Sequence, residues 1–401
     1  MNKIHIVIFC ILFVVHRIVG HFVINIYSTT DESWYYYIYA FVGNPPQKQS
    51  LILDSGSSQI SFTCKACTNC GVHSFPPFDI SKSVTGKMCN GNAFGNERCK
   101  YFHRFSEGSV ISGRYFSDIL SFENSHENPT KQSFKIKYDY FGCNELETKH
   151  IFYQHATGVF GIGLKSIADD NINITHFLLK SVGNHLDISD LNNIVISICL
   201  LNEGGKIKIG EYNEKIVDNN LIFSKNPLNY IYWVPTVYPT SLYKLKVEGI
   251  FIGNPRFNLL NKKTYISAII DIGSTFSFLP SKVYGKLIAE LYKSCAQLIK
   301  HHNGKCIITD KSICLPVNSN SQSLLPVIQI KFGGQENFIN WKHTSYLIKR
   351  EKTWCIGIKE KASSGNNIIL GISFLKNRQL ILDPKKKRVG INVNIITKCK
   401  D

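Results

Sequence analysis

The chain has 401 residues, of which 44% are apolar and 19% are charged, and it contains 25 Phe and 19 Tyr. Such a content of aromatic residues excludes an intrinsically disordered chain, and so low a charged fraction excludes a coiled coil. At roughly 100–200 residues per domain, the length suits two or three domains or one bilobal unit. The 46 basic and 29 acidic side chains give a net charge of +17, but the basic residues are scattered, so no nucleic-acid partner is expected.

The N-terminus has the features of a secretory signal peptide. A basic start precedes an apolar run over residues 4–15, and Gly20 is a small residue near the expected cleavage site. His16 and Arg17 interrupt the apolar run, which is therefore too short to span a membrane comfortably. The sequence predicts a signal peptide over residues 1–20, no other transmembrane anchor, and a location in the secretory pathway, either in the endoplasmic reticulum lumen or outside the cell.

The cysteines indicate a disulfide-bonded protein. Of 13 cysteines, Cys10 lies in the signal peptide, and the other twelve are expected to form six disulfides in an oxidising compartment. Seven of the twelve precede residue 200 and five follow it, so at least one bridge must join the two halves if all of them pair. Three pairs are expected by name: Cys199–Cys399, Cys295–Cys306 and Cys314–Cys355.

A cluster of cysteines in the first half is expected to pair within itself and with Cys143. Its members are Cys64, Cys67, Cys70, Cys89 and Cys99. Together with His73, the Cys-x2-Cys-x2-Cys spacing is also compatible with a zinc site. The disulfide interpretation is preferred in a secreted protein, and no metal is expected. Asn173 begins an Asn-Ile-Thr sequon and is a candidate site of N-glycosylation.

Most of the mature chain is predicted to form short β-strands. Runs rich in Tyr, Ile, Val and Phe are separated by Gly, Asn and Pro. The clearest runs cover residues 34–42, 49–53, 133–138, 193–200, 206–209, 244–252 and 266–270. A helix is predicted over residues 281–295, and the basic run at residues 385–388 is predicted to be a hairpin turn between two strands. The fold class is therefore all-β, mainly β with minor helices.

A distant internal repeat is the main feature of the sequence. Residues 51–58 read Leu-Ile-Leu-Asp-Ser-Gly-Ser-Ser, and residues 268–275 read Ala-Ile-Ile-Asp-Ile-Gly-Ser-Thr. Asp271 follows Asp54 by 217 residues (271 − 54). A weaker second similarity, two apolar residues followed by Gly, lies downstream of each copy. The repeat predicts two related lobes, each with one Asp at the end of a buried strand.

The two Asp residues are predicted to accept hydrogen bonds from their own loops. Gly56 and Gly273 let the backbone bring N–H groups near each carboxylate, and Ser57 and Ser274 add a hydroxyl three residues after each Asp. If the loops meet across a pseudo-twofold axis, the two carboxylates share one proton. The ionised member can then activate a water while the protonated member polarises a carbonyl, which is the chemistry of peptide hydrolysis.

These features resemble the pepsin-like aspartic proteases. Residues 36–47 are similar to the entry strand and its Gly-x-Pro-Pro-Gln turn, residues 105–113 to the flap hairpin, and residues 369–375 to the last motif of that family. The resemblance implies a bilobal double-ψ β-barrel fold, a catalytic pair between the lobes and no cofactor. It implies site roles beside Asp54 and Asp271 for Ser55, Gly56, Ser57, Gly273, Ser274, Thr275, Phe105, Glu107, Gly108 and Ser109.

A narrower resemblance is to plasmepsin V of malaria parasites and its apicomplexan relatives, which are endoplasmic-reticulum proteases. It rests on the segments at residues 62–73, 107–109, 115–119, 156–159, 354–357 and 374–377. In those enzymes an acidic flap residue binds an Arg of the export motif upstream of the cut. The resemblance therefore implies that Glu107 binds a basic residue of the substrate, with Gln154 as a second contact.

Three departures from the family pattern concern activity and anchoring. Ile272 stands where a Ser or Thr usually crosses to the other lobe, so only Ser55 could still make that hydrogen bond. Phe105 replaces the flap Tyr and keeps the ring without the hydroxyl. The sequence shows no C-terminal membrane anchor of the kind that the malaria enzymes carry.

The sequence predicts an aspartic endopeptidase of the secretory pathway, a monomer that acts on polypeptides, including exported proteins with Arg-containing motifs. One alternative is a weakened or inactive protease-fold protein that binds peptides, and another is a basic protein that binds glycans or membranes. The predicted divisions are a short N-terminal segment over residues 21–34, an N-terminal lobe over residues 35–205 and a C-terminal lobe over residues 206–399. The first lobe includes a Cys-rich insert at residues 62–99 and a flap at residues 101–119.

Overall fold

The computed structural model describes residues 21–29, 34–89, 99–105, 107–122, 135–164, 174–185, 193–212, 231–237, 241–253, 257–260, 266–302, 306–309, 312–316, 325–361, 365–393 and 395–399. The predicted signal peptide and the sequon at Asn173 lie outside these residues. Within them, strands dominate and helices are few, as predicted. No helix in these ranges is long and apolar enough to cross a membrane.

The first half of the chain carries eleven strands and two helices in its described part. The strands are β1 (His21–Ser28), β2 (Tyr36–Val42), β3 (Gln47–Asp54), β4 (Ile60–Thr63), β5 (Lys87–Met88), β6 (Lys100–Arg104), β7 (Val110–Phe122), β8 (Lys135–Glu147), β9 (Gly158–Gly161), β10 (Ile194–Leu201) and β11 (Gly204–Glu211). The helices are α1 (Lys149–Tyr153) and α2 (Ile174–His185), and a 3₁₀ turn covers Ile80–Lys82.

The described second half carries fifteen strands and three helices. The strands are β12 (Ile231–Pro235), β13 (Lys244–Ile252), β14 (Phe257–Asn258), β15 (Ile266–Ile270), β16 (Ser277–Leu279), β17 (Ile307–Thr309), β18 (Ser312–Pro316), β19 (Ile328–Phe332), β20 (Ile339–Trp341), β21 (Leu347–Arg350), β22 (Thr353–Ile356), β23 (Ile358–Glu360), β24 (Ile368–Leu370), β25 (Arg378–Asp383) and β26 (Arg388–Asn392). The helices are α3 (Ser281–His302), α4 (His343–Tyr346) and α5 (Ile372–Leu375).

One large sheet joins the two halves of the chain. It has 14 strands in the order β12-β26-β25-β10-β11-β1-β2-β3-β9-β4-β8-β7-β5, with β6 paired to β7. Strands β12, β25 and β26 come from the second half, and β25 pairs with β10 of the first. An eight-stranded sheet holds β13, β15, β16, β19, β20, β23 and β24 with β14, and β17, β18, β21 and β22 form a four-stranded sheet.

The predicted elements recur with longer bounds where tertiary contacts extend them. Strands β13 and β15 have the bounds that the sequence predicted. Helix α3 continues beyond residue 295 to His302 because Cys295 and Leu298 prolong the buried face of Leu287 and Leu291. Strand β8 runs on to Glu147 because it pairs with β7 along almost its whole length. Contacts with neighbouring elements therefore extend α3 and β8 beyond the ends that the sequence predicts.

The basic run near the C-terminus forms the predicted hairpin turn between β25 and β26. The buried carboxylate of Asp383 accepts hydrogen bonds from Lys386 N at 3.0 Å and Arg388 Nε at 2.9 Å. Arg388 also lies over the ring of Trp233, with its Cζ 3.9 Å from the ring centroid. The charges of this run thus serve a turn within the sheet.

The N-terminal segment is part of the large sheet. Strand β1 lies between β11 and β2, and its pairing with β11 covers six residues from His21 to Ile26. Phe22, Ile24 and Ile26 are buried in the main core. The sequence predicts a short separate segment over residues 21–34, and its pattern gives no sign of this sheet contact.

Six disulfides join the twelve cysteines that follow the predicted signal peptide. They are Cys64–Cys143, Cys67–Cys70, Cys89–Cys99, Cys199–Cys399, Cys295–Cys306 and Cys314–Cys355. The last three are the pairs that the sequence analysis named. The cysteine cluster pairs within itself and with Cys143, so its sulfur atoms are not available to a zinc ion.

Candidate active site

Each copy of the internal repeat forms the end of a strand and the loop that follows. Strand β3 ends at Asp54 and pairs in parallel with β9, and Ile162 N donates to Asp54 O at 2.7 Å. In the second half, β15 ends at Ile270 and pairs in parallel with β24, and Asp271 N donates to Leu370 O at 3.1 Å. The weaker second similarities of the sequence therefore form the parallel strands that support the two loops.

The two loops face each other. Gly56 packs so closely against the other loop that an added Cβ would lie 2.9 Å from Asp271 Cγ. Gly273 packs against the first loop in the same manner, with an added Cβ 2.7 Å from Asp54 Cγ. Each carboxylate is thus covered by the glycine of the opposite loop, and a side chain at either glycine would displace a carboxylate. The structure brings together the two Asp residues that the repeat singled out.

Asp54 is held by two hydrogen bonds from its own loop. Its Oδ1 accepts from Gly56 N at 2.7 Å, and its Oδ2 accepts from Ser57 Oγ at 2.5 Å. The residue is 6% exposed, so water contributes little to its solvation. These donors stabilise a negative charge on a carboxylate that burial would otherwise disfavour.

Asp271 has fewer donors than Asp54. Its Oδ1 accepts from Gly273 N at 3.0 Å, but the hydroxyl of Ser274 makes no hydrogen bond to Asp271 among the described contacts. The backbone of Ser274 is engaged instead, because its N–H donates to Asp271 O at 3.4 Å and its carbonyl accepts from Ile372 N at 2.8 Å. The structure therefore departs from the expectation that both loops supply a hydroxyl to their Asp.

Ser55 makes the hydrogen bonds that cross between the lobes. Its hydroxyl donates to Ile270 O at 2.8 Å and accepts from Ile272 N at 3.0 Å, and the side chain is fully buried. Ile272 is also fully buried and offers no hydroxyl for a return bond. Thr275 provides another tie, because its Oγ1 donates to Trp34 O at 2.7 Å. Ser55 thus connects the two Asp loops without a matching hydroxyl at position 272.

The environment of Asp271 favours its protonated form. Desolvation raises the pKa of Asp271 well above its ordinary value, and the charge of Asp54 and a hydrogen bond with Asp54 raise it further, while Gly273 N opposes the shift. The negative charge of Glu107 adds a smaller increase to the pKa of Asp271. Asp271 is therefore the member of the pair that keeps a proton, and Asp54 is the member whose loop stabilises a charge.

Strands β6 and β7 form a hairpin whose tip includes Phe105 and residues 107–109, where the flap was predicted. Phe105 N donates to Ser109 O at 2.9 Å, and Gly108 N donates to Phe105 O at 3.0 Å. Gly108 has φ +92°, a conformation that a side chain would strain. Phe105 packs with the cluster of Ile111 and Ile151, whereas Glu107 is exposed at the tip.

His103 is a flap residue that the sequence analysis did not select. Its ring packs edge-on against Phe105, with the ring centroids 4.6 Å apart. Burial lowers the pKa of His103, and the charges of Asp54 and Glu107 oppose that shift. Its place in β6, two residues before Phe105 at the end of the hairpin strand, is the signal that could have identified it.

Gln154 lies directly after α1, beside a second pair of ionisable groups. Its side-chain Nε2 is buried and has no hydrogen-bond partner within the described structure, and its backbone carbonyl lies 2.8 Å from His73 Nδ1. His73 Nε2 lies 2.8 Å from Glu147 Oε2. In the sequence, His73 stands out only as a possible zinc ligand, and Glu147 does not stand out because it has no motif around it. In the described residues, no group of three or more His, Cys, Asp or Glu side chains is arranged to hold a metal ion.

Comparison with known proteins identifies the family. The eukaryotic aspartyl protease family model matches residues 35–393. Plasmepsin V of Plasmodium falciparum is 28% identical over 94% of this chain and 73% of its own length. Aspartic protease 5 of Toxoplasma gondii is 27% identical over 91% of the chain but only 37% of its own length, and chicken pepsin A is 22% identical over 89% and 83%. With its mostly β, bilobal fold and one Asp loop from each lobe, the chain belongs to the eukaryotic aspartyl protease family.

Proposed function

We propose that this protein is an aspartic endopeptidase of the secretory pathway and that Asp54 and Asp271 are its catalytic pair. The observation that carries the proposal is the meeting of two carboxylates with different surroundings. Asp54 has two loop donors that stabilise a charge, and Asp271 has a raised pKa caused by burial and by Asp54. The pair therefore holds one proton, mainly on Asp271, while Asp54 is charged. Acid–base hydrolysis needs one protonated and one ionised carboxyl group of this kind.

The proposed reaction uses a water held between the carboxylates. Ionised Asp54 accepts a proton from the water, whose oxygen attacks the peptide carbonyl carbon. Protonated Asp271 donates its hydrogen bond to the carbonyl oxygen and transfers that proton as the tetrahedral intermediate forms. The C–N bond then breaks as the proton on Asp54 passes to the leaving nitrogen. One hydroxyl of the intermediate returns a proton to Asp271, which forms the carboxylic acid product and restores the pair. No covalent bond to the protein forms in this sequence.

The flap residues support a preference for a basic residue upstream of the cut. Glu107 is exposed at the flap tip, and its charge reaches both His103 and Asp271. An Arg of a bound peptide could form a paired, charge-assisted hydrogen bond with that carboxylate. The buried Nε2 of Gln154 has no hydrogen-bond partner in the described structure, and a carbonyl of a bound peptide would satisfy it once the flap opens. Processing of exported proteins at Arg-containing motifs is the specific role that we propose.

The test is cleavage of a peptide library by the purified mature chain, with products identified by mass spectrometry. Asp54→Asn and Asp271→Asn should each lower the rate by at least about 10³-fold, because neither residue can perform the proton transfers of the other. Asp139→Asn, which alters an exposed carboxylate on β8, is the matched control and should retain full activity.

The second candidate function is peptide binding without catalysis. The single hydroxyl at Ser55, the buried Ile272 and the missing donor at Ser274 favour it, since they leave the pair less symmetrically held. A wild-type protein that binds peptides from the library with no cleavage of any of them would replace the first candidate with the second.

A further inference from the structure

The disulfide-linked segment at residues 64–78, here called the cysteine loop, wraps around α1 and contacts both of its ends. Before α1, Glu147 N donates to Asn69 O at 3.0 Å. After α1, Ser74 N donates to His155 O at 2.8 Å. Between them, Gly71 lies directly on the carbonyl of Phe152, where an added Cβ would overlap the oxygen. The loop is therefore built against α1 rather than projecting from the lobe.

One imidazole within the cysteine loop connects the two ends of α1. His73 Nδ1 lies 2.8 Å from Gln154 O, and because a carbonyl can only accept, Nδ1 carries a hydrogen. His73 Nε2 lies 2.8 Å from Glu147 Oε2. If Glu147 is ionised, Nε2 must carry a hydrogen as well, and the ring is an imidazolium that donates in both directions.

The hydrogen-bond donors around Glu147 stabilise a negative charge on its carboxylate. Its Oε1 accepts hydrogen bonds from Thr63 Oγ1 at 2.7 Å and from Asn144 Nδ2 at 2.8 Å. The side chains of His73 and Glu147 are 2% and 0% exposed. Because the carboxylate is shielded from solvent, a charged His73 would stabilise it as an ion pair, and removing that charge would leave a buried anion unpaired.

The segment that begins at Glu147 is also bonded to the flap. Thr148 N donates to Val110 O at 3.0 Å, and Val110 N donates to Thr148 Oγ1 at 2.9 Å. Two residues further, His150 N donates to Ser109 Oγ at 3.2 Å, and Ser109 is fully buried. The flap is thus hydrogen-bonded to residues that directly follow Glu147 in the chain.

We propose that His73 and Glu147 form a buried, protonation-dependent clamp that positions the flap and Gln154 for substrate binding. Both are positioning residues, since they act through Ser109, Val110 and Gln154. While His73 is charged, its ring holds both ends of α1. When it loses its proton, the bond to Glu147 becomes a contact between a lone pair and a carboxylate, and the segment over residues 147–154 loosens. Only the effect on substrate rests on the proposed function.

The ionisable groups around His73 give the direction of the pH effect. Burial alone lowers the pKa of His73, but the hydrogen bond and charge of Glu147 and the carbonyl of Gln154 together raise it above 6.5. Tyr101, which donates to Asn144 at 2.6 Å behind Glu147, has a pKa well above 10.0 because of burial and stays neutral. The cysteines of the loop are in disulfides. The clamp is therefore closed at low pH and opens as pH rises through the raised pKa of His73.

The first experiment measures the clamp without reference to activity. NMR of ¹³C-histidine-labelled protein should give His73 a titration midpoint above 6.5 that falls in Glu147→Gln. Hydrogen exchange of residues 101–111 and 147–155, corrected for the intrinsic effect of pH, should accelerate as pH rises through that midpoint in the wild-type protein. His155→Gln changes an exposed histidine on the same segment and should leave both results unchanged. The clamp is overturned if the corrected exchange rates do not change across the midpoint, or if Glu147→Gln leaves the titration midpoint of His73 unchanged.

The second experiment measures substrate binding in the Asp54→Asn protein, where cleavage does not interfere. The Kd of a fluorescent substrate peptide should weaken about 5- to 10-fold as pH rises through the His73 midpoint. Adding Glu147→Gln should move that step to lower pH. A pair that only stabilises the fold would lower the melting temperature without a step in Kd, and that result overturns the positioning role. If no peptide is cleaved by the wild-type protein, the proposed function fails, while NMR and exchange still decide the clamp.

Discussion

At the scale of single residues, the unequal surroundings of the two Asp side chains matter most. Asp54 accepts hydrogen bonds from Gly56 N and Ser57 Oγ, whereas Asp271 accepts one from Gly273 N among the described contacts. Burial and the charge of Asp54 raise the pKa of Asp271. The repeat in the sequence is nearly symmetric, but the site is not. A shared proton resides on Asp271 because that carboxylate gains least from being charged.

This asymmetry predicts a pH dependence with a definite sign. Between the ordinary value of 3.8 and the raised folded value, Asp271 keeps its proton in the folded protein and loses it in the unfolded chain. The free energy of unfolding should therefore fall as pH rises through that window, and kcat/KM should fall as Asp271 finally ionises. Thermal unfolding against pH in the wild-type protein and in Asp271→Asn checks this. A slope that is unchanged in the variant would contradict it.

Glu107 provides a prediction about specificity. The ratio of kcat/KM for an Arg-containing peptide to that for its Gln analogue should drop by about 10-fold in Glu107→Gln, since one charge-assisted hydrogen bond contributes about 1.5–3 kcal/mol. The long-range field of a protein with net charge +17 repels basic peptides, so a local carboxylate is needed to reverse the preference. Glu290→Gln removes an equal charge on α3 and serves as the control. Equal losses for both peptides would mean that Glu107 only shapes the flap.

At the scale of elements, the N-terminal segment contributes a strand, β1, to the large sheet. Its partners β11 and β2 would both expose an edge without it, and Phe22, Ile24 and Ile26 would leave the core. Exposed edges of this kind favour pairing with other chains. The segment after the predicted signal peptide is therefore expected to remain in the active protein.

The contribution of β1 can be measured with a core truncation. Ile24 is 3% exposed, so Ile24→Ala should destabilise the protein by about 2–5 kcal/mol through lost burial and a residual cavity. Asn25→Ala, one residue later on the less buried face, should change stability far less. Melting temperatures recorded at one scan rate give the comparison. Similar melting temperatures for the two variants would mean that β1 contributes little to the fold.

At the scale of the whole molecule, the large sheet and the Cys199–Cys399 disulfide hold the two halves together. The disulfide joins β10 to the C-terminal tail across 200 residues. The tail is also held by Ile396 N, which donates to Asn377 O at 2.7 Å. Since β10 pairs with β25, the same strand carries both a covalent and a hydrogen-bonded connection between the halves.

Removing this disulfide should affect the whole fold. Replacing Cys199 and Cys399 together by Ala should destabilise the protein by about 2–5 kcal/mol, because a long loop in the unfolded chain is released. Replacing Cys67 and Cys70, which close a separation of three residues, removes a far smaller loop and should cost much less stability. Thermal unfolding at a fixed scan rate compares the two double variants. An equal loss would contradict the loop-closure explanation.

The sequence by itself determined the family, the all-β class and the two Asp loops, because these depend on local patterns. An apolar strand that ends in Asp-x-Gly-Ser needs no distant partner to be recognised, and neither do β13 and β15, which are short runs rich in Ile and other strand-forming residues. Cysteine counting also required a bridge between the halves. Gly56 and Gly273 could be predicted as turn residues, although their contact with the opposite carboxylate could not.

Only the tertiary structure decided which groups share a site without sharing a motif. His73 and Glu147 are 74 residues apart and form a buried pair, and nothing around either residue in the sequence indicates the other. The same holds for β1 in the sheet and for the absence of a hydroxyl donor from Ser274 to Asp271. The physical reason is that burial, opposite charges and hydrogen-bond partners arise from distant segments, so the environment that sets a pKa or an orientation exists only once the chain has folded.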